Sequence, residues 1–349
     1  MQGEYKVPGG KLVAANVEVE NQHLANVSIS GDFFLEPDSA LECINQALVG
    51  LPESVSVRQI TQAIENALDE NVEMYGFSVQ AIAIALRRAL GKASGWHDHV
   101  FDVIPAQTLP AAQHVALDEV IVNSVASGQR GPTLRFWDWP DSVVVIGLFQ
   151  SLKNEIDPQG AQRHGIEVVR RVTGGGAMFM EPGNCITYSL VVPASLVEGM
   201  TFEQSYAFLD DWVLAALAEV GIKAHYVPIN DIASDKGKIG GAAQRRFGNG
   251  VVLHHVTMAY DINADRMLEV LRIGREKLSD KGTTSANKRV DPMRSQTGME
   301  REAIIQSFIN HFQQRYSSQL SQYNEHELTQ AKALVESKFR SPEWMAKVL

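Results

Sequence analysis

Arg170 and Arg171 stand at the end of the apolar run IEVVRR, directly before Val172, Thr173 and the glycines Gly174, Gly175 and Gly176. Cations followed by residues without a Cβ can bring a guanidinium fork and backbone N–H groups close to an anionic ligand. Adjacent strand positions point to opposite faces, so only one of the two arginines can serve the loop. The spacing matches neither GxxxxGK[ST] nor GxGxxG, so the common nucleotide motifs are absent. On these residues alone, a Gly-rich hairpin with an exposed arginine is as good a reading as a binding loop.

Two further stretches concentrate polar groups between apolar runs. In PINDIASDKGKIGGAAQRR, Asn230 and Asp231 end a strand and Lys236 and Lys238 follow. A lysine beside small residues can set an ammonium against a carbonyl or phosphate; the alternative is a solvated hairpin tip. Lys238 is favoured over Lys236 because it precedes IGGAA, where absent side chains leave room. In LHHVTMAYDI, His254 and His255 face opposite ways on a strand, one expected buried and the other exposed. They cannot share one metal ion, and a structural histidine is the default. Cys43 and Cys185 lack CxxC spacing and a nearby base, and Cys185, at the start of an apolar strand, is expected to be inert packing. No HExxH or Ser-His-Asp order occurs.

The elements that must position these residues follow from pattern. Residues 1–90 contain two alternating runs, KLVAANVEVEN and LANVSISGDFFLEP, and two helical ones, SVSVRQITQAIENALDE and GFSVQAIAIALRRAL, which make a small α+β domain. Residues 91–112 lack a sustained period and read as a linker. In 113–349, QHVALDEVIVNSVASG and TFEQSYAFLDDWVLAALAEVG read as helices, the second with a Thr201/Gln204 capping box and a Gly221 stop. PTLRFWDWP, SVVVIGLFQ, IEVVRRVT, NCITYSLVVP, KAHYVPIND and GVVLHHVTMAYDIN read as strands, and two helices close the chain. The 349 residues imply two domains, and the net charge of −10 means an anionic ligand must be met by local cations. It also argues against nucleic-acid affinity. With no signal-peptide pattern, no run of ~20 apolar residues and no disulfide framework, a reducing, cytoplasmic setting without a membrane is expected.

Together, HVALDEVI, PTLRFWDWPDSVVVIGLFQ, RRVTGGGAMFMEPGN, the Asn230-Asp231 pair, GKIGGAAQ and LHH resemble, in order, the lipoate–protein ligase family, which shares its catalytic module with biotin–protein ligases. YKVPGGKLV and ISGDFFLEP resemble the family's small accessory domain, here placed first. The resemblance implies an α+β fold: a central mixed, largely antiparallel sheet flanked by helices, plus a small α+β accessory domain that supports adenylation.

It also implies an ATP-dependent, adenylate-forming ligase. Lipoate would be activated to lipoyl-AMP, and the lipoyl group then passed to a lysine of a lipoyl-domain or similar acceptor protein. Lys238 is the implied catalytic residue. Arg171, Gly176, Ala177, Met178, Phe179 and Lys238 are implied for ATP; Gly174, Gly175, Lys238 and His255 for lipoate. Asn230 and Asp231 support them, with Asp231 a candidate for Mg²⁺. Segments SDKGKIGG and DKGTTSANKR are candidates to close over the adenylate. Two positions depart from the family pattern: Met180-Glu181, where relatives often have His-Asp, and Val256, where they often have Gly. An octanoyltransferase acting through a cysteine nucleophile is the alternative. Such relatives carry a thiol just beyond the strand that ends at Asn230-Asp231, where this chain reads NDIASD. A non-catalytic lipoate-binding protein is the third reading.

Overall fold

The computed structural model describes residues 1–7, 9–91, 93–262, 267, 269–272 and 290–348. The chain divides into two compact units, Met1–Asp98 with Ala194–Phe208, and His99–Pro193 with Leu209–Leu349. The candidate lid segment DKGTTSANKR lies outside the described residues.

In the first unit, strands β1 (Gln2–Lys6), β2 (Leu12–Glu20) and β3 (His23–Gly31) form an antiparallel sheet. Strands β4 (Phe34–Glu36) and β5 (Glu73–Tyr75) pair separately. Helices α1 (Ala40–Leu48), α2 (Val57–Ala67) and α3 (Val79–Ala89) complete it. A capping box opens α2: Ser56 accepts from the Gln59 N–H, and the Gln59 side chain accepts from the Ser56 N–H. Residues 194–208 join this unit through an Arg87–Glu198 ion pair at 3.2 Å and a Ser94–Ser195 hydroxyl pair at 2.8 Å.

The second unit is built on a mixed sheet in the order β12-β13-β14-β15-β11-β7-β6-β16. The strands are β6 (Phe101–Thr108), β7 (Thr133–Asp138), β11 (Cys185–Pro193), β12 (His225–Val227), β13 (Asp231–Ala233), β14 (Lys238–Arg246), β15 (Val251–Ala259) and β16 (Ser318–Leu320). The sheet is antiparallel from β12 to β7, while β6 runs parallel to both β7 and β16. Helix α4 (Ala111–Ala126) covers one face, where Asp118 meets His255 of β15. Helix α7 (Phe202–Glu219) belongs to this unit from Leu209 onward and covers the other face, where Trp212 packs on Tyr188 of β11 with ring centroids 5.0 Å apart. Its Thr201/Gln204 capping box and left-handed Gly221 are present as expected.

A smaller sheet, β10-β8-β9, is formed by β8 (Val143–Ile146), β9 (Glu167–Arg170) and β10 (Met178–Met180). Helices α5 (Leu152–Glu155) and α6 (Pro158–Arg163) link β8 to β9. The glycine loop joins β9 to β10. The two strands flanking Pro140-Asp141 therefore do not pair: β7 enters the large sheet and β8 the small one.

The expected linker at 91–112 holds a strand instead. In β6 the residues Phe101 to Ile104 are all buried, so no alternation marks them, and a register shift between Ile104 and Gln107 accommodates Pro105. The unit boundary falls at Asp98/His99. Both histidines of β15 are buried, against the expectation that one would be exposed. The strand lies inside the sheet with a helix over each face, so opposite orientation does not mean exposure.

Candidate active site

The polar stretches converge on one cavity of about 240 Å³ in the second unit. The glycine loop forms one wall. Gly175 adopts φ +91°, a conformation that favours glycine. Its carbonyl presses on the next loop so closely that a Cβ on Gly147 would sit 2.1 Å from it. Gly176 has nothing within 4 Å of a Cβ position, so its backbone faces open space. Ala177, Met178 and Phe179 continue this wall as β10 begins. Gly174 is not part of it and lies beside the ring of Phe149.

Arg171 is turned under the loop. Nε donates to Thr173 Oγ1 at 3.0 Å and Gly174 O at 3.2 Å, Nη1 to Val145 O at 3.2 Å, and Nη2 to Gly174 O at 2.6 Å and Gly176 O at 2.9 Å. The guanidinium holds the loop's carbonyls, and Arg171 is itself part of the cavity lining. Arg170 points the other way, as strand geometry requires, and ties β9 to the Trp344 and Met345 carbonyls.

The opposite wall comes from β13 and β14. Lys238 begins β14 and its Nζ donates to Asp231 Oδ1 at 2.7 Å. Both side chains are partly exposed, at 47% and 36%. A Cβ on Gly241, the residue paired with Asp231, would approach Lys238 Nζ to 3.2 Å. The bare backbone there is the space in which the ammonium lies. Asn230 bridges to β14 through Nδ2 to Ala242 O at 2.6 Å. Asn230 and Lys238 line the cavity, whereas Asp231 reaches it through Lys238. Lys236 lies exposed in the turn.

Much of the lining is apolar and carries sulfur: Met178, Met180, Met267 and Cys185 contribute to it, with Trp137 and Ile239. Met180, where the family pattern often has histidine, is 1% exposed and packs in the core. Burial pushes the Cys185 thiol up to about 12, so it is neither exposed nor a thiolate at neutral pH. His255 forms part of the floor and is held by Asp118 and Thr173.

Asp118, Arg135 and Thr173 do not line the cavity but support His255, which does, and no motif in the sequence marks them. Asp118 and Arg135 pair at 2.6 Å with no exposure. Burial favours the neutral acid of Asp118, but Arg135 and His255 outweigh it and hold the carboxyl at about 2. Burial and the Arg135 charge lower His114 to about 3, and burial also lowers His255. The signal available beforehand was the acid pair Asp118-Glu119 in the otherwise apolar helix HVALDEVI and a lone cation in TLRFWD. Charges in such elements require partners.

A mixed sheet that brings a glycine loop, a strand-borne lysine and an apolar cavity together defines an α+β enzyme domain suited to an acyl group with an activated carboxyl end. Residues 110–314 match the model of the lipoyl protein ligase A/B catalytic domain, and the chain belongs to that family. A bipartite lipoate–protein ligase from Thermoplasma acidophilum superposes with a TM-score of 0.63 at 26% identity, over 72% of this chain and 98% of that one. Lipoate–protein ligase A bound with ATP shares the fold, with a TM-score of 0.61 at 23% identity, over 72% of this chain and 100% of that one. Among curated relatives, the octanoyltransferase LipM of Exiguobacterium is 27% identical over 219 residues, 56% of this chain and 76% of the relative. The octanoyltransferase LipM of Halalkalibacterium halodurans is 24% identical over 267 residues, 67% of this chain and 94% of the relative. Among the described residues no helix is long and apolar enough to cross a membrane.

Proposed function

We propose that this enzyme of lipoyl or octanoyl transfer is an ATP-dependent ligase. The lipoate carboxylate attacks the α-phosphorus of ATP, a P–O bond to the β-phosphate breaks, and pyrophosphate leaves. The amine of an acceptor-domain lysine then attacks the acyl carbon, loses a proton, and AMP departs. Both steps build negative charge on oxygen, and in this reading Lys238, a lining residue of the cavity, meets it with its ammonium. Arg171, in the lining, adds positive potential there, and the open side of Gly176 admits the nucleotide against backbone. The apolar, sulfur-bearing part of the lining takes the dithiolane. In this reading the first unit supports adenylation more than transfer.

The residues fit Mg²⁺ only as an ion carried by the nucleotide. Asp231 is the carboxylate beside Lys238, and among the described residues no three His, Cys, Asp or Glu groups gather into a metal site. Such an ion would neutralise charge on the departing pyrophosphate.

The observation that carries the ligase reading is the chemistry of the cavity's thiol. A covalent acyl-enzyme needs an accessible thiolate. Cys185 lines the cavity but is 1% exposed, with its pKa pushed up to about 12 by burial. Cys43 belongs to the other unit. The names of the curated relatives favour the second reading, octanoyl transfer from a carrier. Lipoate-dependent ATP–pyrophosphate exchange by the full chain tests the choice. No exchange, with octanoyl transfer from a carrier thioester, would establish the second reading.

A further inference from the structure

A line of hydrogen bonds runs from the core of the second unit to the glycine loop. Arg135 Nη2 donates to Asp118 Oδ1 at 2.6 Å. Asp118 Oδ2 lies 3.1 Å from His255 Nδ1, and His255 Nε2 lies 2.7 Å from Thr173 Oγ1. Thr173 Oγ1 in turn accepts from Arg171 Nε at 3.0 Å. The polarity of this line is set from the Asp118 end. A carboxylate only accepts, so Nδ1 carries the ring proton. Burial keeps the ring neutral, so Nε2 is left as an acceptor, and the Thr173 hydroxyl donates to it while its oxygen takes the Arg171 Nε–H. Every link then has one donor and one acceptor.

We infer that Asp118 and Thr173 are positioning residues of the acyl-activation site: they fix His255 as the neutral Nδ1–H tautomer and couple it to the Arg171 clamp that shapes the glycine loop. The inference rests on the proposed acyl-activation reading for its catalytic consequence, not for its geometry. With Nδ1 directed at Asp118 and Nε2 at Thr173, both ring nitrogens are engaged. His255 is thus a wall of the cavity and not the base that takes the acceptor lysine's proton. The charged and titratable groups around it are Asp118 from α4, backed by Arg135 of β7, Arg171 of the loop, and His254 on its own strand. Trp137 presents its ring edge-on, with centroids 6.3 Å apart.

The test pairs Thr173→Val with Thr173→Ser in the full chain. Valine keeps the volume and removes the hydroxyl; serine returns it. Nitrogen-15 NMR of histidine-labelled wild-type protein should report the Nδ1–H tautomer for His255 through neutral pH. In Thr173→Val, Nε2 loses its donor and protonates at higher pH than in the wild type. Acyl transfer should then fall roughly ten- to hundredfold, more so toward acid, as the loop loses its alignment. Thr173→Ser should restore both readouts. An Nε2–H tautomer in the wild type would overturn the inference. So would a Thr173→Val protein that loses rate while His255 titrates as before, or one that matches the wild type in both. The tautomer is read without substrate, so its failure is separate from failure of pyrophosphate exchange by the wild type.

Discussion

Replacing Lys238 by alanine should separate chemistry from stability. Among the described residues the ammonium has one carboxylate partner, Asp231, at 2.7 Å, and the two side chains are 47% and 36% exposed. An ion pair this open to water contributes about 0–1 kcal/mol. In a unit of this size, that loss shifts the melting temperature by no more than about 4 °C. The catalytic loss should be far larger. Removing a donor aimed at developing negative charge costs about 2.7–4 kcal/mol, or roughly 10²–10³ in rate. Lys238 faces such charge in both steps, so Lys238→Ala should lower lipoate-dependent ATP–pyrophosphate exchange at least ~100-fold while the thermal transition barely moves. Lys236→Ala is the control, because that side chain lies exposed in the turn. It should leave exchange near the wild-type rate. Wild-type exchange by Lys238→Ala would refute the assignment. So would a collapse of the thermal transition, since activity would then be lost with the fold.

Three further outcomes follow from the cavity and its supports. Cys185→Ala should keep acyl transfer within the same order of magnitude, as mass spectrometry of the acceptor would show; complete loss would point to a covalent thioester and the octanoyltransferase route. Met180→His would set an imidazole where the wall is 1% exposed and apolar. It should cost about 1–3 kcal/mol in urea unfolding and weaken lipoate binding by calorimetry; unchanged values would show that Met180 does not support the tail. Acid should destabilise the second unit in two stages. The folded values of His114 and Asp118 are depressed, from 6.5 to about 3 and from 3.8 to about 2. The unfolded chain therefore binds more protons, and the stabilisation present above the unfolded values is lost as pH falls toward the folded ones. The histidine part declines first, between 6.5 and about 3, and the aspartate part between 3.8 and about 2. At 1.36 kcal/mol per pH unit, the Asp118 part is on the order of 2 kcal/mol. Urea titrations across this range would show the decline, and a flat profile would refute it.

How much of this could be read beforehand depends on whether a feature is local or comes from topology. The capping box at Thr201/Gln204 and the left-handed Gly221 are local, and both stand as expected. The opposed directions of Arg170 and Arg171, and of His254 and His255, follow from strand geometry and hold. Their environments do not follow from it. His255 meets Asp118 only because α4 lies over β15, and His254 meets Asp210 at 2.6 Å because α7 lies over the other face. Strand β6 is not legible in the sequence for a related reason: burial on both faces erases the alternation by which a strand is recognised. That Lys238 and not Lys236 lines the cavity is in keeping with the small residues after it, and the pairing of Gly241 with Asp231 gives the physical reason for the space there. Arg171 shows the limit. Its type and place beside the glycines pointed to a ligand, yet each of its nitrogens also has a loop or strand oxygen to meet. The same guanidinium can serve the site by holding the loop in shape. That duty is invisible in the letters RRVTGGG, because the carbonyls that demand it are present in every residue.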